Sequence, residues 1–219
     1  MSNLDIPKRS PLSSELQLIH SEILECTKCE LHKGRTKAVP GEGPDDAKIM
    51  FVGEGPGQNE DEQGRPFVGA AGKFLTELLE SIGLKRSDVF ITNIVKCRPP
   101  NNRAPRKSEI ETCNQYLQSQ IRLINPRIVC ALGTPAITTL MGEEYSASRF
   151  HGKPLTKGKV TMLPMYHPAA ALYDASLKET LLHDFKILKQ LLEKEETLNP
   201  STPRSAEPSS AKQTLEKWV

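Results

Sequence analysis

The sequence predicts an α/β fold: a three-layer αβα arrangement around a central four-stranded parallel sheet. Two observations predict it. Apolar runs of strand length, at 47–53, 89–95, 127–132 and 160–165, alternate with segments whose apolar residues recur at helical intervals. Such alternation builds a parallel sheet covered on both faces. In addition, the unusual residues collect at or just beyond the ends of those runs: Gly53-Glu54-Gly55-Pro56-Gly57, Asn93, Gly133-Thr134-Pro135 and Tyr166-His167-Pro168. Ligands of open α/β sheets bind outside the carboxyl ends of the strands, so these places predict one shared site.

The elements follow in order. Residues 1–12 are polar, carry Pro7 and Pro11, and read as a flexible lead-in. Ser13 or Ser14 can cap a first helix whose apolar positions, Leu16, Ile19, Ile23 and Leu24, keep helical spacing; it ends at Cys26-x-x-Cys29. The run 47–53 is a buried strand that stops at glycine. Helix 70–82 is closed by Gly83 as a C-cap. The second strand, 89–95, enters a Pro- and Arg-rich loop, and helix 108–124 follows it. The third strand, 127–132, ends at Gly133 and precedes a short helix at 135–141. The fourth strand, 160–165, is followed by a long final helix at 177–194. The folded domain is therefore expected at 13–196. A Pro- and Ser-rich stretch at 197–211 reads as a disordered linker, and 212–219 contain the single tryptophan, Trp218.

A chain of 219 residues suffices for one domain with a substantial core plus tails. The net charge of +2 gives no global bias toward nucleic acid, but the basic residues are clustered. No apolar run approaches the roughly 20 residues of a membrane span. The first residues lack the basic-then-apolar pattern of a secretory signal. A cytoplasmic, reducing setting is expected, where cysteine spacing points to metal before disulfide. Cys26, Cys29, Cys97 and Cys113 read as ligands of one centre, while Cys130 lies apart inside the third strand. Spacing alone puts zinc first and an iron–sulfur cluster as its rival.

The strand-end residues each admit a bland reading and a chemical one. The 53–57 loop matches neither a Walker pattern nor a dinucleotide fingerprint, and by itself is a tight turn with exposed amides. Phe67, in a loop bounded by glycine and proline, is either packing or a platform on which a flat base stacks. Asn93 interrupts an apolar strand, so its amide needs partners: backbone, or the edge of a base. Held in place it would match uracil, which offers a donor at N3 and an acceptor at O4, and would clash with cytosine. His167 is structural or functional with equal ease. Lys96 to Lys107 carry five positive charges and no negative one, and their prolines hold the backbone open for phosphates. One carboxylate of Glu60-Asp61-Glu62 is a candidate to face the pocket.

Together these pieces resemble the family 4, iron–sulfur uracil-DNA glycosylases. The resemblance rests on Cys26 and Cys29, Gly53 to Gly57, Gly64-Arg65-Pro66-Phe67-Val68-Gly69, Thr92 to Pro100, Cys113 and His167-Pro168-Ala169-Ala170, and spans roughly 16–195. It implies excision of uracil from single- or double-stranded DNA by a monomer, with a [4Fe–4S] cluster on Cys26, Cys29, Cys97 and Cys113 in place of zinc. It further implies a pocket formed with Gly53 and Gly55, Phe67 stacking on the base, Asn93 reading its edge, and His167 stabilising the leaving anion. Glu54 would position water or order its loop, and Glu60 would line the pocket. Arg98, Asn102, Arg103, Arg106 and Lys107 would contact DNA, with Leu172 as the wedge that fills the vacated stack. Where family 1 enzymes carry an aspartate and a tyrosine in the first motif, this chain has Gly55 and Gly57, which implies a dissociative path. The tail resembles a sliding-clamp-binding motif through Leu215 and Trp218, with Lys212 in the usual glutamine place. The competing readings are a non-catalytic nucleic-acid-binding domain, a glycosylase with broader base choice, and a zinc-bound α/β hydrolase.

Overall fold

The computed structural model describes residues 13–198. The lead-in, nearly all of the expected linker, and the tail with Leu215 and Trp218 lie outside the described residues. The helices are α1 (Ser14–Glu25), α2 (Gln58–Gln63), α3 (Ala70–Ser81), α4 (Lys107–Ile124), α5 (Thr134–Met141), α6 (Ala147–Phe150), α7 (Ala170–Tyr173) and α8 (Ser176–Leu198). The strands are β1 (Ile49–Gly53), β2 (Phe90–Asn93), β3 (Ile128–Leu132), β4 (Leu155–Lys157) and β5 (Val160–Met165). They form one sheet in the order β2-β1-β3-β5-β4. The expected four-stranded parallel sheet is thus corrected to five strands, because β4 adds antiparallel to the outer edge of β5. β4 is three residues long, Leu155-Thr156-Lys157, too short to show a period of two. It forms because the chain reverses at Gly158, whose φ of 62° suits a tight turn, and Thr156 and Thr161 then pair hydroxyls at 3.2 Å.

Strand alternation divides the core between the sheet's faces. Ile49 and Phe51 of β1 pack with Leu75, Leu78 and Leu79 of α3 and Leu181, Phe185 and Leu188 of α8. Met50 and Val52 face Leu16 of α1, Leu117 and Ile124 of α4, and Ile137 of α5. The three layers of the expectation are therefore present. Ser13 caps α1 through its hydroxyl, which accepts the Leu16 amide proton. Leu24, expected on the apolar stripe of α1, is instead 54% exposed. At 100° per residue it falls about 80° off the line through Leu16 and Ile23, and His20 occupies that stripe. α8 runs to Leu198, two residues past the expected domain end at 196.

Candidate active site and cysteine chamber

A cleft of about 470 Å³ opens at the carboxyl ends of β1, β2 and β5. Glu54, Gly55, Glu60, Phe67, Asn93 and His167 all line it, although they are separated by up to 113 positions in sequence. The adjacency of β1 and β2 explains part of this convergence, since Gly53 is the register partner of Asn93. Gly53 is required by the space itself. A Cβ there would lie 2.5 Å from Asn93 Oδ1 and 2.7 Å from the Phe67 ring.

Asn93 is 1% exposed, and its Oδ1 is the buried side-chain polar atom that finds no partner among the described residues. An orphaned buried acceptor costs about 1–3 kcal/mol, so the site stores an unmet demand for a donor. Across the cleft, the Ala169 amide donates to Nδ1 of His167 at 3.1 Å, which leaves the ring proton on Nε2. Burial lowers the His167 pKa to about 4, despite the opposing pull of Glu60, so the ring is neutral near pH 7. A neutral N–H donor and an unpaired acceptor therefore share one cleft. Glu54 has its carboxyl pKa raised by burial.

Phe67 stands with its ring centroid 5.4 Å from that of His167, the planes 25° apart. Its backbone has φ of 50°, the left-handed region, at a cost of order 1–3 kcal/mol for such a residue. Glu60 braces the segment from one side. Its Oε1 accepts the amide protons of Val68 and Gly69, both at 2.8 Å, and its Oε2 accepts that of Gly57 at 3.1 Å. One carboxylate thus ties the glycine-rich loop to the phenylalanine loop. Among the three neighbouring acids, Asp61 turns away: its Oδ1 accepts from Thr36 N at 2.9 Å, pinning the segment after the first cysteine pair.

The basic stretch does not lie wholly on the surface. Lys96 is 1% exposed and points inward, donating to Thr92 Oγ1 at 2.6 Å, the Asn93 carbonyl at 2.8 Å and Gln120 Oε1 at 2.7 Å. Arg103 makes a two-pronged ion pair with Glu109 at 2.7 and 2.8 Å, and the same carboxylate caps the Arg106 amide at 2.7 Å. Arg98 donates to Asn102 Oδ1 at 2.7 Å. Asn101 and Asn102 both have φ near 55°, a conformation asparagine tolerates better than most residues, and the turn sets the cleft's rim. Arg106 and Lys107 are exposed, with Lys107 3.7 Å from the exposed Glu143. Leu172 is 48% exposed, but its neighbour Tyr173 is 93% exposed and lines the cleft. The sequence signal for Tyr173 was present, an aromatic one place beyond an aliphatic in a loop after His167-Pro168.

Cys26, Cys29, Cys97 and Cys113 line a second chamber, between the end of α1 and α4. Cys130 is in the core of β3. Two features bear on what those four thiols suit. A single zinc with bonds of 2.3 Å would draw its sulfurs to roughly 3.8 Å from one another. Among the described residues no three Cys, His, Asp or Glu side chains form a group able to hold one ion. Four cysteines around a common space are nonetheless a donor set suited to a metal centre. Lys96 also lines the chamber, and the acceptors of its ammonium group are all neutral, so an anionic centre there would balance a buried cation. Burial pushes the Cys113 thiol up to about 11 and raises that of Cys97, so metal would bind with loss of protons. Arg35 already donates to Cys97 Sγ at 3.1 Å.

A family model described as the uracil DNA glycosylase superfamily matches residues 40–191. A type-4 uracil-DNA glycosylase of Sulfurisphaera tokodaii is 50% identical over 185 residues, covering 80% of this chain and 84% of that protein. One from Saccharolobus solfataricus is 48% identical over 186 residues, covering 81% and 86%. Another, from Archaeoglobus fulgidus, is 47% identical over 189 residues, covering 80% and 92%.

Proposed function

The chain belongs to the uracil-DNA glycosylase superfamily, and from that premise we propose that it is a type-4 enzyme. It hydrolyses the N-glycosidic bond of deoxyuridine in DNA and leaves an abasic site for base excision repair. The observation that carries the reading is the unpartnered Asn93 Oδ1, 1% exposed at the cleft. It awaits a donor in the place where uracil brings N3–H. Cytosine brings a lone pair at N3 and would leave both acceptors unpaired.

The target nucleotide must leave the duplex, at a cost of a few kcal/mol, to reach the cleft. Phe67 then stacks on the base, and Asn93 accepts N3–H and donates to O4. His167 donates from Nε2 to O2, where negative charge gathers as the C1′–N1 bond breaks and its electron pair passes to N1. No side chain stands at Gly55 to activate water strongly, so bond breaking runs ahead of attack. Water adds to the oxocarbenium at C1′, held by Glu54, and its proton passes to solvent. Tyr173 and Leu172 enter the space the nucleotide leaves.

Cys26, Cys29, Cys97 and Cys113 hold a [4Fe–4S] cluster in this reading. When bound, the group anchors both ends of the 97–113 segment, which carries Arg98, Asn102, Arg103, Arg106 and Lys107 toward phosphates. The tail with Leu215 and Trp218 docks on a sliding clamp; clamp binding that survives removal of residues 212–219 ends that part.

Incubation with a uracil-containing oligonucleotide, then alkali, gives scission at uracil and none at cytosine. Absence of scission defeats the enzyme reading. An Asn93→Asp variant loses discrimination and begins to cleave at cytosine; unchanged base preference removes Asn93 from the reading role. Anaerobically prepared protein is brown and contains iron and sulfide, whereas colourless protein containing zinc excludes the cluster.

A further inference from the structure

Phe67 reaches the cleft only through a backbone conformation that bulky residues avoid, so something must hold it there. Glu60 binds the amides that follow it, at Val68 and Gly69. The carbonyls on the other side are held by Arg86, from the turn between α3 and β2. Its Nη1 donates to the Phe67 carbonyl at 3.0 Å and its Nη2 donates to that of Pro66. Helix α3 closes the third side: a Cβ built on Gly72 would lie 1.8 Å from the Phe67 carbonyl oxygen. Arg86 is itself fixed. Its Nε lies 3.7 Å from Glu42 Oε1, and Glu42 also makes a two-pronged pair with Arg65 at 2.7 and 2.9 Å. The guanidinium side chain is 19% exposed and does not line the cleft.

We propose that Arg86 is a positioning residue for uracil recognition: its two N–H donors grip the Pro66 and Phe67 carbonyls and hold the Phe67 ring in its stacking pose. The inference rests on the reading that Phe67 stacks on the excised base. A guanidinium suits the task because its planar fork spans two adjacent carbonyls, whereas an ammonium presents a point charge. Released from the clamp, the Pro66–Phe67 peptide relaxes toward negative φ. The ring then leaves the face it presents beside His167, while Asn93 and His167 keep their own supports.

The test is a double-mutant cycle on single-turnover excision from a uracil-containing oligonucleotide, with inhibition by free uracil as a second readout. Arg86→Met lowers the rate and weakens free-uracil inhibition about 10-fold each. Arg86→Lys, which keeps the ion pair with Glu42 and one carbonyl contact, falls between it and the wild type. In a Phe67→Ala background either Arg86 substitution costs less than 2-fold more, because the ring it positions is gone. Losses that multiply in the double variants overturn the proposal, as does an unchanged free-uracil inhibition constant in Arg86→Lys and Arg86→Met. A general destabilisation would lower the melting temperature without this non-additivity. If Arg86→Met does not fold, the cycle is run with Arg86→Lys alone and the same criterion decides. Lack of excision by the wild-type chain would defeat the glycosylase reading itself, a separate outcome from any result of the cycle.

Discussion

The base cleft and the cysteine chamber meet on one short piece of chain, with Asn93 at the end of β2 lining the first and Cys97 lining the second. They are built differently. The cleft is over-braced: Glu60 and Arg86 immobilise the backbone around Phe67, Ala169 sets the tautomer of His167, and one acceptor is left open. The chamber is held by packing of Ile23, Leu31 and Tyr116 around thiols, and its charge is one-sided, with Lys96 buried among neutral acceptors. The difference separates two kinds of preorganisation. A site that recognises a neutral base needs geometry fixed beforehand, while a site for a charged centre needs counter-charge and protons to release. Lys96 belongs to both, because it lines the chamber while its ammonium group donates to the Asn93 carbonyl.

Four substitutions would sharpen or break that division. His167→Leu should have the largest effect, lowering the single-turnover rate about 10²–10³-fold, as for loss of one donor to a developing anion. Iron content should not change. Because burial holds the His167 pKa at about 4, the ratio of wild-type to variant rates should stay flat from about pH 8 to about pH 5. A break in that ratio near pH 6.5 would mean that the ring titrates normally.

Lys96→Met should come next, and should act on both regions. If the four cysteines hold an anionic iron–sulfur centre, losing the buried cation beside them should let a chelator strip iron from the variant faster, by about 10-fold. Free-uracil binding should weaken by a few-fold through the loosened Asn93 carbonyl. If iron is retained as in the wild type, the chamber does not depend on this cation. The smallest effect should come from Arg106→Ala and Lys107→Ala. Each should weaken DNA binding several-fold and lower the slope of log affinity against log salt by about 1, with uracil discrimination unchanged. A change in base preference would join that segment to the pocket.

Much of this architecture was legible in the sequence. β1, β3 and β5 were marked by apolar runs ending in glycine or Tyr166-His167-Pro168, and α4 by its apolar spacing. β4 was not legible, since Leu155, Thr156 and Lys157 are too short a run to signal a strand and acquire that geometry only against β5. Glu54, Gly55, Asn93 and His167 were readable because each sits at or just beyond a strand end where an apolar pattern breaks, whereas Phe67 was marked by its glycine-bounded loop and Glu60 by its acidic triplet. Their supports were not. Arg86 lies in a plain charged turn, and nothing local marks it as the partner of Pro66 and Phe67, 20 and 19 positions away. Lys96 read as part of an exposed basic run, and only the packing of α1 and α4 over β2 turned it inward.

The sequence by itself determined the α/β class, the cysteine quartet and the set of residues at the strand ends, because hydrophobic period, glycine and cysteine spacing are local signals. Only the tertiary structure decided which charges face inward, which carboxylate of Glu60-Asp61-Glu62 braces the cleft, and how Phe67 is held. Those outcomes depend on the burial of one side chain by residues remote in sequence. The cost of leaving a buried donor or acceptor unpaired then selects the partner.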